Sequence, residues 1–531
     1  MMDTPLGAWL MFEHGPNHAP DAEIVSRTPT GGVERRTYAD LGRRAQQLMH
    51  ALDGLGIGSA DPVATLAWNS GYHLEAYFGV PCTGRVLHTL NLRVSPEELA
   101  YMLADAGDRA VLVDPDLLPL LEQAFEHTRP VDRVIVLGDR VPDTTLRGVV
   151  VYEDLIADQP THYPRPAIDE RQPMGLCYTS GTTGRPKGVV YTHRSSFLHA
   201  LAVTSHADMS IGPGDAVLPQ VPMFHASAWG MPYAAAMVGA KQVFFAGALE
   251  PADFVDLLVG ERVTVTAGVP TIWLSIADEL VRRGERLPDL RHIVCGGAQP
   301  PRSLIERYAA DFGLRVVQAW GMTETSPLAS VAWPQERMRD WSEDDVTTAA
   351  RTKAGLPLPG VEVTVRDDAG IDLPADGTSM GDLYVRGPWV LDGYLHGHGA
   401  ESFTADGWFK TGDVAIASAS GYFVIADRTK DLIKSGGEWI SSVAMEAKVM
   451  ELPAVAEAAV IAVPDPRWLE RPLVCVVLQP GRTVTIDQLR DHLLAGGFAR
   501  WQLPERMEVI EVVPRTSVGK FDKRSLRARF G

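Results

Sequence analysis

The chain has 531 residues, too many for one hydrophobic core, so we expect several folding units. An apolar fraction of 45% and a charged fraction of 22% are typical of a folded globular protein. The net charge of −18 disfavours binding to nucleic acid and to anionic membrane surfaces. No apolar run approaches the roughly 20 residues of a membrane span, so no integral membrane association is predicted.

The cysteines and the N-terminus favour a cytoplasmic location. The N-terminus lacks a basic segment followed by an apolar run, so no signal peptide is predicted. Four scattered cysteines without CxxC spacing argue against a disulfide framework or a zinc site. They are Cys82, Cys177, Cys295 and Cys475.

Helical and strand-like segments alternate from about residue 37 to 217 and again from 264 to 318. Short apolar runs such as 62–67, 110–114 and 293–295, each followed by an amphipathic stretch, are typical of βα units. From 355 to 425, short strands and Gly/Asp turns instead predict a small β-barrel subdomain or antiparallel sheet. The sequence therefore predicts an α/β protein whose large N-terminal domain contains doubly wound, mostly parallel sheets.

A compact α+β segment of about a hundred residues ends the chain. Its predicted strands are 454–463 and 473–478, and its predicted helix is 486–494. We place the boundary at Lys430, which gives an N-terminal domain of residues 1–429 and a C-terminal domain of residues 430–531.

Lysine is rare in this chain: only 9 of the 49 lysines and arginines are lysines, and fifteen arginines precede the first of them, Lys187. A lysine in such a chain indicates a position that needs a compact ammonium rather than a planar guanidinium. Lys187 closes a glycine-rich loop. Four more lysines lie in two further motifs near the C-terminus: Lys430, Lys434, Lys520 and Lys523.

The loop at 178–188 reads YTSGTTGRPKG and lies between two predicted strands. Its backbone N–H groups and hydroxyls can surround an anion while Lys187 neutralises the charge. It is not a Walker A loop, because Gly188 replaces the expected Ser/Thr and Pro186 prevents direct entry into a helix. The predicted phosphate site consists of Thr179, Ser180, Gly181, Thr182, Thr183, Gly184 and Lys187.

This loop resembles the phosphate loop of the adenylate-forming superfamily, which includes acyl-CoA synthetases, luciferases and the adenylation domains of peptide synthetases. Four more motifs follow in the superfamily's order: QAWGMTE at 318–324, TGD at 411–413, DR at 427–428 and PRTSVGK at 514–520. The segments PMFHASAW at 222–229 and IKSGGEWISS at 433–442 resemble bacterial medium- and long-chain fatty-acyl-CoA synthetases. The resemblance covers nearly the whole chain and implies an AMP-forming acid–CoA ligase that works through an acyl-adenylate.

The resemblance also implies a nucleotide site that uses ATP and Mg²⁺. Glu324 would bind Mg²⁺, a hard cation suited to carboxylate and phosphate oxygens, and Thr323 would bind the α-phosphate. Asp413, and more weakly Arg428, would hold the ribose. The adenine pocket would be lined by Gly297, Ala298, Gln299, Gln318, Ala319, Trp320 and Gly321.

For the C-terminal domain, the resemblance implies rotation about a hinge at Lys430. Lys520 would reach the α-phosphate and the substrate carboxylate in the first step, and Lys434 would move towards the adenylate in the second. CoA would contact the loop made of Gly436, Gly437, Glu438 and Trp439. A homodimer is also implied.

No formally charged side chain occurs between Asp215 and Lys241, where His225 is the one titratable group. Small residues surround Trp229 and Tyr233 in this segment, which leaves room for an apolar tail and offers no partner for an ammonium. A fatty or bulky hydrophobic acid, and not an amino acid, is therefore predicted; the resemblance implies a medium- or long-chain fatty acid. By resemblance, His225 would lie beside the substrate carboxylate and Trp229 would close the acyl tunnel until ATP binds.

Several alternatives stay open from the sequence. Ala298-Gln299 departs from the small residues usual in the fatty-acid enzymes, which leaves an aromatic, sulfur-containing or natural-product-derived acid open. The acceptor could be a carrier protein, the enzyme could perform one half-reaction, or the chain could bind nucleotide without catalysis; the intact motifs favour the CoA ligase. His396 and His398 are interpreted as a solvated pair, and Lys523, Arg524 and Arg527 as a solvated helix face.

Overall fold

A computed structural model describes residues 2–179, 185–247, 249–435, 438–515 and 521–531, with the backbone alone at Glu438. Two large, mostly parallel sheets form the N-terminal part, and two smaller sheets follow along the chain. The predicted mixed α/β fold with a smaller C-terminal domain is confirmed.

The first large sheet has seven strands, all parallel to their neighbours except the last pair. In spatial order they are Val150–Val151, Arg133–Val136, Ala110–Val113, Pro62–Leu66, Val86–Thr89, Pro173–Tyr178 and Gly188–Thr192.

The second large sheet has nine strands, with a parallel centre and antiparallel pairs at both edges. In spatial order they are Leu356–Pro357, Leu328–Val331, Arg315–Gly321, His292–Cys295, Val265–Gly268, Ala216–Pro219, Lys241–Phe245, Glu23–Arg27 and Val33–Thr37. The strand Ala216–Pro219 lies between two strands that follow it in sequence, so the strand order runs in opposite directions on its two sides. Such a switch point opens a crevice at the carboxyl ends of the strands.

The region predicted as a small antiparallel β unit is a four-stranded antiparallel sheet. Its strands are Glu362–Arg366, Asp376–Arg386, Phe409–Ser418 and Phe423–Arg428. The C-terminal sheet comprises Glu438–Ile440, Ile433–Ser435, Leu469–Leu478 and Val455–Asp465, with Arg506–Val509 pairing to Leu469–Leu478.

Helices cover the sheets, and their ends follow local rules. Helix Tyr38–Gly54 begins at Thr37, whose side chain accepts from the Asp40 N–H while the Asp40 carboxylate accepts from the Thr37 N–H. The other helices of eight or more residues are Gly71–Gly79, Pro96–Ala106, Leu118–Phe125, His193–Thr204, Met231–Val238, Pro251–Gly260, Pro270–Arg283, Ser442–Val449, Ile486–Ala495 and Lys523–Phe530. Shorter α-helices are Ala8–Phe12, His14–His18, Tyr152–Ala157, Arg302–Arg307 and Glu343–Val346, and Ala226–Trp229 forms a left-handed turn. Within the described ranges, none of these helices is long and apolar enough to span a membrane.

Candidate active site

A cleft of about 1060 Å³ lies at the carboxyl ends of the parallel strands. Its walls come from residues that follow strands of both large sheets, as the switch point requires. The four-stranded sheet and the C-terminal domain close it from the other side. Among the residues that line it are Thr179, Lys187, Gln220, His225, Trp229, Gly297, Gly321, Thr323, Glu324, Tyr394, Gly412, Arg428, Lys430, Arg515 and Phe521.

The predicted phosphate loop is closed at its base by Thr179 and Lys187. The Thr179 N–H donates to the Lys187 carbonyl at 3.0 Å, and the Lys187 N–H donates to the Thr179 hydroxyl at 3.2 Å. These two bonds continue the antiparallel pairing of Pro173–Tyr178 with Gly188–Thr192, so the flanking strands fix where the loop starts and ends. Ser180, Gly181, Thr182, Thr183 and Gly184 lie outside the described residues.

Thr323 and Glu324 lie on a short turn directly after the strand Arg315–Gly321, and both line the cleft. The Tyr191 hydroxyl donates to the Thr323 carbonyl at 2.9 Å, and the Tyr394 hydroxyl donates to Glu324 Oε1 at 2.7 Å. Burial raises the pKa of Tyr394 well above its ordinary value, and the Glu324 carboxylate raises it further, so the phenol is a hydrogen-bond donor here. Carboxylate oxygen is the kind of ligand that Mg²⁺ prefers, so Glu324 at the cleft wall suits that ion.

The predicted ribose residues form one chain of hydrogen bonds with Trp320. The indole Nε1 donates to Asp413 Oδ2 at 3.0 Å, and Arg428 Nε lies 2.7 Å from Asp413 Oδ1. Asp413 is buried, while its neighbour Gly412 lines the cleft together with Arg428. Asp413 therefore holds Arg428 at the cleft wall and Trp320 behind it; Asp413 and Trp320 themselves do not line the cleft.

The residues predicted for the adenine pocket do not all reach the cleft. Gly297, Ala319 and Gly321 line it. The Gln299 side chain donates to the Thr352 carbonyl at 3.2 Å. Gln318 is buried, and its side-chain oxygen has no hydrogen-bond partner among the described residues. Ala298 is exposed.

His225 and Trp229 both line the cleft, joined by an unusual backbone. Ala226, Ser227, Ala228 and Trp229 all have positive φ, between 44° and 57°. Left-handed backbone costs a residue other than glycine roughly 1–2 kcal/mol, and runs of it are rare. At the end of this run the Trp229 indole, which is 5% exposed, packs in the neighbouring core and also lines the cleft.

The structure does not bring Tyr233 to the cleft. Its ring lies 5.0 Å from that of Tyr77 and 5.6 Å from that of Phe78, in the core beside the helix Met231–Val238. Tyr233 therefore packs in the core and anchors the helix that follows Trp229.

In the C-terminal domain, Lys434 is exposed and does not line the cleft. Its Nζ lies 5.2 Å from the ring centroid of Trp439, itself 41% exposed, on the facing strand. Gly436, Gly437 and Lys520 lie outside the described residues, as does the Glu438 side chain. The described residues on either side of the Lys520 segment, Arg515 and Phe521, line the cleft.

Side-chain contacts hold the C-terminal domain to the four-stranded sheet. Asp427, near the end of the last strand of that sheet, accepts from the Ser442 hydroxyl at 2.6 Å, at the start of helix Ser442–Val449. Lys523 Nζ donates to the same hydroxyl at 2.6 Å and pairs with Glu446 at 2.7 Å. The interpretation of Lys523 as part of a solvated face is wrong: it is 8% exposed, and Glu446 and Asp427 outweigh burial and raise its pKa.

Sequence reasoning missed the segment that covers Lys187 and Glu324, namely residues 391–403. The Leu391 N–H donates to the Glu324 carbonyl at 2.9 Å, and Tyr394 pairs in an isolated bridge with Val189. His396 Nε2 lies 2.9 Å from the Asp105 carbonyl. The glycines at 393, 397 and 399 are a signal of a constrained loop. No group of three or more potential metal-ligating side chains occurs in the described part of the chain, His396 and His398 included.

A switch-point cleft lined by the described ends of a glycine-rich segment, with a lysine and an acidic group, is typical of a nucleotide-using α/β enzyme. Residues 12–395 match the AMP-binding enzyme family, and residues 444–520 match the AMP-binding enzyme C-terminal domain. The chain belongs to this family.

Related proteins align over the full length. A long-chain-fatty-acid–CoA ligase of Thermus thermophilus is 46% identical, with 100% of this chain and 96% of the relative covered. A 3-methylmercaptopropionyl-CoA ligase of Ruegeria pomeroyi is 41% identical, with 100% and 98% covered. A medium-chain-fatty-acid–CoA ligase of Ectopseudomonas oleovorans is 38% identical, with 100% and 97% covered.

Among solved structures, an anthranilate CoA ligase in complex with anthranoyl-AMP superposes with a TM-score of 0.87 at 25% identity, covering 99% of this chain and 98% of that one. The adenylate-forming superfamily and the enzyme class predicted from the sequence, an AMP-forming CoA ligase with ATP and CoA as substrates, are confirmed.

Proposed function

We propose that the protein activates a hydrophobic carboxylic acid with ATP and transfers the acyl group to CoA. The observation that carries this proposal is that one cleft gathers Lys187, Glu324, His225 and Arg428 around a space of about 1060 Å³. That space is large enough for a nucleotide and an acid together.

The first step joins the acid to the α-phosphorus of ATP, which brings two anions together. Catalysis therefore consists mainly of charge neutralisation and positioning. Lys187 and the residues of its loop hold the phosphates, Thr323 donates to the α-phosphate, and Arg428 and Asp413 hold the ribose. Glu324 would hold Mg²⁺, which neutralises phosphate charge when bound. Lys520 neutralises the charge that develops between the carboxylate and the α-phosphate.

The second step transfers the acyl group to the CoA thiol. Lys434 and the 436–439 loop act here, after the C-terminal domain has rotated about Lys430. Two features support this assignment: Lys434 and Trp439 face solvent, and Arg515 and Phe521 line the cleft. This is the arrangement expected for the first step, with residues 1–429 and 430–531 as the two domains.

The acid is a medium- or long-chain fatty acid in this proposal. The segment that carries His225 and Trp229 has no formally charged side chain between Asp215 and Lys241. Two relatives are named for fatty acids. A sulfur-containing acid is the second candidate, because a relative 41% identical is named for 3-methylmercaptopropionyl-CoA. We further propose a cytoplasmic homodimer; all four cysteines are free and buried, as a reducing compartment permits.

The test is a CoA-thioester assay with ATP, Mg²⁺ and a panel of acids: saturated chains of increasing length, 3-methylmercaptopropionate and an aromatic acid. AMP and pyrophosphate are measured beside the thioester, and Glu324→Gln is the inactive control. Equal amounts of AMP, pyrophosphate and thioester from a fatty acid support the proposal. AMP without thioester indicates a different acceptor, and no pyrophosphate with any acid contradicts the proposal.

A further inference from the structure

Tyr394 touches both charged groups that the proposed function assigns to ATP and its metal. Its hydroxyl donates to Glu324 Oε1 at 2.7 Å, and the face of its ring lies 4.9 Å from Lys187 Nζ. One side chain therefore holds an anion by a hydrogen bond and a cation by its π-face. The two charges come from distant parts of the sequence, and Tyr394 lies between them.

The Tyr394 ring is itself held in place on several sides. Its backbone pairs with Val189, two residues beyond Lys187. The rings of Phe403 and Phe409 lie 6.1 and 6.3 Å from it. Gly399 lies so close that a Cβ there would come within 3.0 Å of the ring and 2.7 Å of Lys187 Nζ. A side chain 8% exposed and packed in this way keeps one orientation.

The segment that carries Tyr394 is also tied to the turn that carries Glu324. The Leu391 N–H donates to the Glu324 carbonyl at 2.9 Å, and the Ser326 hydroxyl donates to the Trp389 carbonyl at 2.7 Å. The distance between Tyr394 and Glu324 is therefore fixed by the backbone as well as by the side-chain bond.

We propose that Tyr394 is a positioning residue for the metal–nucleotide complex, holding the Glu324 carboxylate and the Lys187 ammonium at a set separation. The inference rests on the proposed function, because it takes Glu324 and Lys187 as ligands of Mg²⁺ and of the ATP phosphates. Partners that orient metal ligands typically change metal affinity by 10–100-fold when they are removed. Tyr394 acts through its neighbours, so its effect appears in binding before any chemistry occurs.

The experiment is calorimetric titration of the full-length protein with ATP, without acid or CoA, once with EDTA and once with Mg²⁺. The ratio of the two dissociation constants gives the gain in affinity due to the metal. Tyr394→Phe keeps the ring on Lys187 and loses the bond to Glu324. We expect it to bind metal-free ATP as wild type does, while its metal-dependent gain in ATP affinity is about tenfold smaller than that of wild type.

Tyr394→Leu removes the ring as well, so we expect it also to bind metal-free ATP more weakly. The matched control is Tyr308→Phe, which loses a buried hydroxyl bond to the Trp273 carbonyl at 2.7 Å; neither of these two residues lines the cleft. It should leave both titrations unchanged while lowering the melting temperature as much as Tyr394→Phe does.

The proposal is overturned if Tyr394→Phe shows the same metal-dependent gain in ATP affinity as wild type. It is also overturned if the variant loses ATP affinity equally with and without Mg²⁺. Failure of the proposed function looks different. In that case wild type shows no metal-dependent gain, or Glu324→Gln keeps the full gain, whatever Tyr394 does.

Discussion

The indole of Trp229 lies directly on the backbone of Gly296, where a Cβ atom would come within 2.9 Å of the ring. Gly296 follows the strand His292–Cys295 and lines the same cleft as Trp229. The pair therefore sets how far the indole projects into the space available for the acid.

Changes at the two positions should move acid selectivity in opposite directions. Trp229→Ala removes the indole from the cleft wall, so kcat/KM should shift towards longer or bulkier acids by at least tenfold, about 1.4 kcal/mol. A Cβ at Gly296 would also come within 2.8 Å of the Ala319 carbonyl oxygen. The indole is the more movable neighbour, so Gly296→Ala should push it into the cleft, shift the preference towards shorter acids and lower the melting temperature. Competition assays with paired acids measure both shifts.

Trp229 is nevertheless buried, so its truncation has a stability cost that must be separated from selectivity. Large-to-small core substitutions of tryptophan cost about 3–5 kcal/mol. If Trp229→Ala only lowers the melting temperature and depresses activity on every acid alike, Trp229 has a core role and does not select the acid.

Lys187→Arg should weaken ATP binding although the charge is kept. The Lys187 ammonium lies 4.9 Å from the Tyr394 ring centroid and beside Gly399, and a longer, planar guanidinium would not present the same point charge from that position. We expect the KM for ATP to rise at least tenfold, about 1.4 kcal/mol. Lys241→Arg, at a lysine that pairs with Glu23 and Glu261 outside the cleft lining, is the control for a charge-conserving change. A wild-type KM for ATP in Lys187→Arg would show that the site accepts either cation.

The two lysines of the C-terminal domain should separate the half-reactions. Lys520→Ala should abolish pyrophosphate release from acid and ATP, yet convert supplied acyl-adenylate to thioester. Lys434→Ala should do the reverse, because Lys434 is exposed in the present arrangement. Single-turnover measurement of each step provides the readout. Equal loss of both steps in both variants would contradict the assignment of one lysine to each step.

Asp208 predicts a pH-dependent stability. It is fully buried, neither carboxylate oxygen has a hydrogen-bond partner among the described residues, and burial raises its pKa to about 7. Between pH 4 and pH 7 the unfolded chain ionises Asp208 while the folded protein keeps it neutral, so folding becomes less favourable as the pH rises. The penalty at pH 8 is about 4 kcal/mol for a shift of this size.

Asp208→Asn cannot ionise, so it should melt at a higher temperature than wild type at pH 8 and show a smaller advantage at pH 5. Thermal melts at both values measure the change. A melting-temperature difference that does not vary with pH would contradict the buried, neutral carboxyl group.

The fold and the motif positions could be read from the sequence because each rests on a local pattern. Strand 62–67 was predicted from its β-branched run and is observed at Pro62–Leu66. The side of a segment that faces the cleft was harder to predict. Met231–Val238 is apolar throughout, so it has no period that distinguishes the face of Tyr233 from the opposite face. Alternation along a strand could have separated Gln318 from Ala319, since adjacent residues face opposite sides.

Tyr394 could not be predicted, because its position depends on contacts between distant segments. Its pairing with Val189 and its bond to Glu324 join three parts of the chain. A glycine-rich stretch with one tyrosine does not indicate which partners it meets. Only tertiary structure supplies that information.

The left-handed run from Ala226 to Trp229 implies that this stretch owes its shape to its surroundings. An isolated peptide of residues 221–233 would abandon the shape in water, because three of the four residues lack even the small side-chain hydrogen bonds that help asparagine adopt it. Replacing alanine by glycine usually destabilises a folded protein. Here Ala228→Gly should instead stabilise it, since glycine adopts positive φ without steric cost. Natural variation that introduces glycine here would be tolerated, whereas β-branched residues would be excluded.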